Sequence, residues 1–162
     1  MSLGAPVRRM PTGSQLGDCL TDLLGRQVTA TLQTAELGTG DPSGLTCGVL
    51  IDEEGHVGGA CIADAAAAAY AGAALAMIAK PVADEAIAAG ALTTTLTDNF
   101  SEVVNILTGL VNTPIHDHLR TGGVEAGIPD SVRDLLIKAA GRTTFAIEVA
   151  EYGAGRIALF AR

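Results

Sequence analysis

Three side chains, Asp98, Glu102 and Asn105, stand at intervals of four and three residues. On a helix, residues at those intervals are surface neighbours. Neither a carboxylate nor an amide is a strong nucleophile. A carboxylate can engage a cation, and an asparagine amide offers both a donor and an acceptor, which together hold a water in one orientation. Hydrolysis of a phosphoryl group asks for little else, because most of its catalysis is the positioning of an in-line water and the neutralisation of charge. A helix bearing these groups would hold the water and leave the metal to another molecule.

The segment that carries them is DNFSEVVNILTG, residues 98–109. At about 100° per residue, Phe100, Val103, Val104, Leu107 and Val111 fall on one side. Asp98, Glu102, Asn105, Gly109 and Asn112 gather on the other. One face is core and the other is presented. Glu and Asn are also ordinary choices for the wet side of any amphipathic helix, so the stripe needs a setting before it implies chemistry. Gly109 reads as a close-packing or partner-clearance position, and Asn112 as the helix end.

The chain has 162 residues, 48% hydrophobic and 17% charged, which argues for one folded domain and against disorder. Residues 1–13 read as a tail or cloning scar outside the fold, and 14–162 as the domain. Net charge is −8, and the few basic residues are scattered, with only Arg8 and Arg9 adjacent. A nucleic-acid surface needs clustered positive charge, so none is expected. Cys19, Cys47 and Cys61 form no CxxC pair and leave one over, which suits reduced thiols in a reducing, cytoplasmic setting. The opening residues lack the apolar core of a signal peptide. The stretch Gly59–Ala79 nearly reaches the length of a membrane span, but Asp64 interrupts it and alanine inserts weakly. It reads instead as a strand end followed by a small-residue helix capped by Asp64, and no membrane span is expected.

Along the chain, Ser14 or a neighbour caps a first helix through QLGDCLTDLL, stopped by Gly25. A strand follows at QVTATLQT and a loop at GTGDPSG. The segment LTCGVLIDEEGHVGGACIA reads as a hairpin turning near Glu54 and Gly55. The alanine-rich helix is expected to end at Lys80-Pro81, and a short helical piece at ADEAIAAGAL leads into the helix carrying Glu102, which closes before Pro114. Another helix is expected at DSVRDLLIKAAG, with Asp130 as cap and Gly141 as stop. The last segment reads as a second hairpin turning at Gly153 to Gly155.

A weak internal repeat relates these elements. A shift of 84 residues lays LGDCLTDLLG over FSEVVNILTG, so that Asp18 meets Glu102, Thr21 meets Asn105 and Gly25 meets Gly109. A shift of 98 lays Val49, Ile51, Glu53 and Gly55 over Ile147, Val149, Glu151 and Gly153. Two such halves imply an α+β fold, pseudo-symmetric, with a mostly antiparallel sheet and helices packed on one face. The polar face then exists once in full and once degraded, with Asp18 and Thr21 in place of Glu102 and Asn105.

Asp98-x3-Glu102-x2-Asn105, on an amphipathic helix within two similar halves, resembles the CheC/CheX family of chemotaxis phosphatases. Pro129 falls close to a proline of the family pattern, and the likeness runs from about Gln15 to Arg162. The resemblance implies dephosphorylation of the aspartyl phosphate of a CheY-type response regulator. It makes Glu102 the acid that docks the regulator's lysine, Asn105 the amide that orients the attacking water, and Asp98 a supporting position. It places Mg²⁺ on the regulator, so that this chain binds no cofactor. One intact site resembles the CheX type more than the two-site CheC type, and with it comes the expectation of a homodimer. The helix after Pro129 is not part of the family pattern.

Other groups offer less. His116 and His118, two apart, would point to different faces of a helix, and no third ligand stands at a metal-binding spacing. No metal site is expected, and the acidic run Asp52 to Glu54 reads as a solvated turn. GTGDPSG lacks the ending of a phosphate-binding loop. The main alternative is a non-catalytic docking or scaffold module of the same fold, in signalling or the flagellar switch. A small-molecule enzyme would need an enclosed pocket, which an exposed helix face does not provide.

Overall fold

The structure, a computed structural model, describes residues 8–113, 116 and 118–162. The first helix, α1, spans Gly13–Leu24 and opens with a reciprocal cap. Thr12 Oγ1 accepts from the Gln15 N–H, and Gln15 Oε1 accepts from the Thr12 N–H. This satisfies two of the donors a helix start leaves free. Thr12, two residues before Ser14, is thus the cap. Gly25 ends the helix at φ 68, a left-handed conformation that glycine adopts without a Cβ penalty. Residues 8–12, grouped with the tail in the sequence reading, lie against the body. Arg8 is buried and donates to Val111 O at 2.7 Å.

Among the described residues, six strands form one antiparallel sheet: β1 Val28–Gln33, β2 Leu45–Ile51, β3 Val57–Asp64, β4 Arg120–Ala126, β5 Gly141–Val149 and β6 Gly153–Ala161. Their order is β1-β5-β6-β3-β2-β4. Exchanging β1 with β4, β2 with β5 and β3 with β6 reverses this order and leaves it otherwise unchanged. The two halves are therefore real, and they are interleaved. The edge strand of each half pairs with the hairpin of the other, β1 with β5 and β4 with β2. Part of the extra length in the second half lies between helix and edge strand. That connection grows from three residues, 25–27, to eight, 112–119.

Along β3 and β6 the buried residues alternate between two cores. Cys61, Ala63, Ile157 and Leu159 face one cluster with the helices α1, α2 (Ala65–Leu75) and α4 (Thr94–Val111). Ala60, Ile62, Ala158 and Phe160 face a second cluster with α5 (Asp130–Lys138). The central strands are covered on both sides, which explains their nearly continuous apolar sequence. The long helices share one face, and α5 lies on the other.

Small residues set how closely α2 approaches α4. A Cβ on Gly72 would lie 2.8 Å from Leu96 O, so the helices cross where there is no side chain to separate them. Asn99 Nδ2 donates to Gly72 O at 2.9 Å and pins the crossing. Asp64 caps α2 by accepting from the Ala67 N–H at 2.8 Å.

Four local expectations are corrected. The helix α2 ends at Leu75, and Lys80-Pro81 opens α3, Lys80–Ala89. Proline suits a first helical turn because the N–H it lacks would be unpaired there. Asp130 is a first-turn residue of α5, with Pro129 at the cap position and no side-chain cap bond. Its charge still favours the positive helix start. Gly141 begins β5, and α5 is closed instead by Arg142, which donates to Leu136 O and Ala139 O. The second hairpin turns over residues 150–152, with Glu151 at φ 73, while Gly153 already begins β6. The strand β4 was not expected at all, because RTGGVEA has two glycines and is mostly exposed. Pro114, named as the barrier to the helix, lies outside the described residues.

Candidate functional site

Thr93 caps α4 by accepting from the Leu96 N–H at 3.2 Å, and the helix runs eighteen residues to Val111. Arg8 accounts for one carbonyl at its far end. Leu96, Phe100, Val103, Val104, Leu107 and Val111 are all fully buried, each stabilising by about 1.5–3 kcal/mol. This burial fixes the rotation of the helix. Asp98, Glu102, Asn105 and Gly109 are consequently all exposed on its outer side.

The helix contains no Lys or Arg. Among the described residues, neither Asp98 nor Glu102 is in an ion pair. Two carboxylates four apart repel one another by a few tenths of a kcal/mol, and among the described residues no ion pair offsets the negative charge of this face. Ile106, 44% exposed, lies beside them as an apolar contact. A Cβ on Gly109 would meet nothing within 4 Å, so the absent side chain is not required by packing within this chain.

Asn105 has a partner that the sequence did not disclose. Thr121 Oγ1, from β4, donates to Asn105 Oδ1 over a long 3.4 Å. The contact orients the amide with its NH₂ group left for another acceptor. Asn112 is engaged differently. Its Nδ2 donates to Leu119 O and its Oδ1 accepts from the Leu119 N–H, at 3.0 and 2.8 Å. It braces the connection from α4 to β4.

In the other half, Asp18 is exposed on α1. Thr21 Oγ1 accepts from the Val28 N–H at 3.0 Å and donates to Val28 O at 3.3 Å. That hydroxyl joins helix to strand and is occupied in doing so. Cavities of about 630 and 360 Å³ lie elsewhere, lined respectively by residues such as Gln33, Glu36 and Arg142 and by residues such as Pro42, Leu45 and Thr97. Neither is lined by Glu102 or Asn105. His116 and His118 lie in the connection after α4, on no helix, with Asp117 between them outside the described residues. Among the described residues, no helix is long and apolar enough to cross a membrane.

No protein-family profile matches the sequence, and no curated protein resembles it significantly. Solved structures do resemble it. A chain of the FliM–SpeE complex from H. pylori aligns at TM-score 0.63 and 9% identity, covering 92% of this chain and 80% of that one. FliY from Thermotoga maritima aligns at TM-score 0.60 and 14% identity, covering 96% and 85%. A chain of the CheX–CheY–BeF3–Mg²⁺ complex from Borrelia burgdorferi aligns at TM-score 0.52 and 14% identity, covering 91% and 92%. The fold is the one shared by these CheX, FliM and FliY structures, as the resemblance implied.

Proposed function

We propose that the chain is a phosphatase acting on the aspartyl phosphate of a CheY-type response regulator. The observation that carries this reading is the placement of Glu102 and Asn105. They lie about one helical turn apart, both exposed, on a helix face without basic residues. The fold is shared with a chain of a complex that contains CheX, CheY, BeF3 and Mg²⁺. Glu102 would receive a lysine of the regulator. Asn105, its Oδ1 held toward Thr121, would fix a water in line with the phosphorus. Water attacks, the aspartyl carboxylate leaves, and inorganic phosphate is released, with the metal belonging to the regulator. Gly109 would leave clearance for the partner, and Asp98 would add to the negative face.

The likeness to FliM and FliY structures, at the higher TM-scores, supports a second reading. On that reading the same face docks a signalling or switch partner and hydrolyses nothing. The deciding experiment follows phosphate loss from a Mg²⁺-loaded, phosphorylated CheY-type regulator from the same source. Wild-type protein is compared with Asn105→Ala and Glu102→Ala. Acceleration by wild type that Asn105→Ala abolishes supports the phosphatase. Binding without acceleration supports the docking module.

A further inference from the structure

The chain contains three histidines; the fold sets one of them in an acidic turn and brings the other two against acidic residues of that turn. His56 lies in the turn between β2 and β3, where its ring nitrogen and the carboxylates of Asp52 and Glu54 offer ligand atoms all within 4.8 Å of one another. His116 and His118 arrive from the connection between α4 and β4. They line a cavity of about 220 Å³ together with Asp52, Glu53 and Glu54. The two segments are some sixty residues apart in sequence, so no spacing could have linked them.

We infer that the β2–β3 turn, with His116 and His118 packed against it, forms a binding site for one zinc-class divalent cation. Its donors are drawn from His56, His116 and His118 with the carboxylates of Asp52 and Glu54.

Three features separate this place from an ordinary acidic turn. First, Asp52 is held in position. It is 4% exposed, and its Oδ1 accepts from the N–H groups of Glu54 and His56 at 3.0 and 2.9 Å. Its Oδ2 faces His56 Nδ1 at 3.7 Å. Second, His116 is oriented by a neighbour, since Thr113 Oγ1 lies 2.6 Å from its Nδ1. In the tautomer that donates Nδ1–H to this hydroxyl, Nε2 keeps its lone pair, as metal-ligating histidines commonly do. Third, the donors come from two separate segments, both hydrogen-bonded in place. The hairpin is closed by Asp52 N–H to His56 O at 2.9 Å, and the connection by the Asn112–Leu119 bracket.

The dimensions suit one ion. A tetrahedron of ~2 Å bonds places its donors roughly 3.3 Å apart, so the 4.8 Å spread of Asp52, Glu54 and His56 closes by rotation of the exposed Glu54 and His56 side chains, and His116 and His118 would reach the ion across the cavity they line with those carboxylates. A water's share of liquid volume is about 30 Å³, and the cavity therefore holds an ion with a few waters. Imidazoles with carboxylates select zinc and its first-row neighbours, whereas Mg²⁺ and Ca²⁺ prefer an all-oxygen shell. An ion here would fasten the hairpin tip to the chain that leaves the candidate catalytic helix.

The test is calorimetric titration of ZnCl₂ into untagged, EDTA-stripped protein, in parallel with NMR of the histidine ring protons. The expected result is one equivalent of Zn²⁺ bound, with the rings of all three histidines shifting together. His116→Ala with His118→Ala should weaken binding at least about tenfold, Cys19→Ser should leave it unchanged, and millimolar MgCl₂ should not compete. These histidines are exposed or half-buried, and circular dichroism confirms that the variant is folded. Absence of Zn²⁺ uptake overturns the inference. So does uptake that survives the double variant, is lost in Cys19→Ser, or leaves the histidine rings unshifted. The phosphatase assay does not depend on any of these results.

Discussion

Thr21 and Asn105 occupy equivalent places in the two halves, and each turns its side chain toward the edge strand that follows its helix. Thr21 closes on the backbone of Val28 with two hydrogen bonds, whereas Asn105 receives only a long one from the Thr121 hydroxyl. The same position is used in one half to fasten the fold and in the other to present an amide. A hydroxyl whose one donor is already spent on backbone cannot offer a water both a donor and an acceptor, as an amide can.

That difference predicts how the two sites respond to alanine. Asn105→Ala should lower kcat for regulator dephosphorylation on the order of 10²-fold with little change in KM, because an orienting group acts mainly in the transition state. Glu102→Ala should instead raise KM. Steady-state kinetics against phosphorylated regulator separate the two effects. Equal losses in kcat and KM for both variants would contradict the division of roles.

Thr21→Ala should leave dephosphorylation unchanged and cost about 1–3 kcal/mol of stability, since the Val28 N–H loses its partner. Urea unfolding measures the cost. A variant as stable as wild type would show that the helix and strand are joined by packing alone.

Gly72→Ala tests the crossing of α2 and α4. The added Cβ would lie 2.8 Å from Leu96 O, which is backbone and cannot swing aside. Overpacking of this kind costs typically 1–3 kcal/mol, and for a chain of this size each kcal/mol lowers Tm by about 2–4 °C. An unchanged melting temperature would mean that the helices separate at no cost.

The buried thiols predict an alkaline limb of stability. Burial pushes Cys47 up to about 12 and raises Cys61 as well. In the unfolded chain each would ionise near the ordinary thiol value of 9.0. Above that pH the unfolded state sheds protons that the folded state keeps. Stability is therefore full below about pH 9 and falls as pH rises toward the folded value. Cys47→Ala should lower stability at neutral pH through the lost side-chain volume while flattening the decline from pH 9 to 12. Chemical denaturation at several pH values measures both, and an unaltered slope would contradict the assignment to Cys47.

Wherever one side of an element is buried, its pattern was legible in the sequence. The apolar stripe of α4 announced both the helix and the orientation of Glu102 and Asn105, and the twin hairpins announced the duplication. The strand β4 left no such trace, because an exposed edge strand containing Gly122 and Gly123 needs no alternation of apolar residues. With β4 hidden, Thr121 could not be read as the neighbour of Asn105. Helix ends misled where a tertiary partner did the capping. Arg142 stops α5 from a neighbouring strand, and no local pattern around Gly141 records that. The approach of His116 and His118 to the acidic turn that carries His56 was equally silent, since it depends on which strands are neighbours.

The interleaving of the two halves bears on how the molecule comes apart. A cut between α2 and α4 leaves each piece with one hairpin and one strand whose partner has gone with the other piece, β1 from β5 and β4 from β2. Neither piece can melt without stripping an edge from its companion. The duplicated architecture is therefore thermodynamically a single unit, its two copies locked like clasped hands, and heat should open both in one transition.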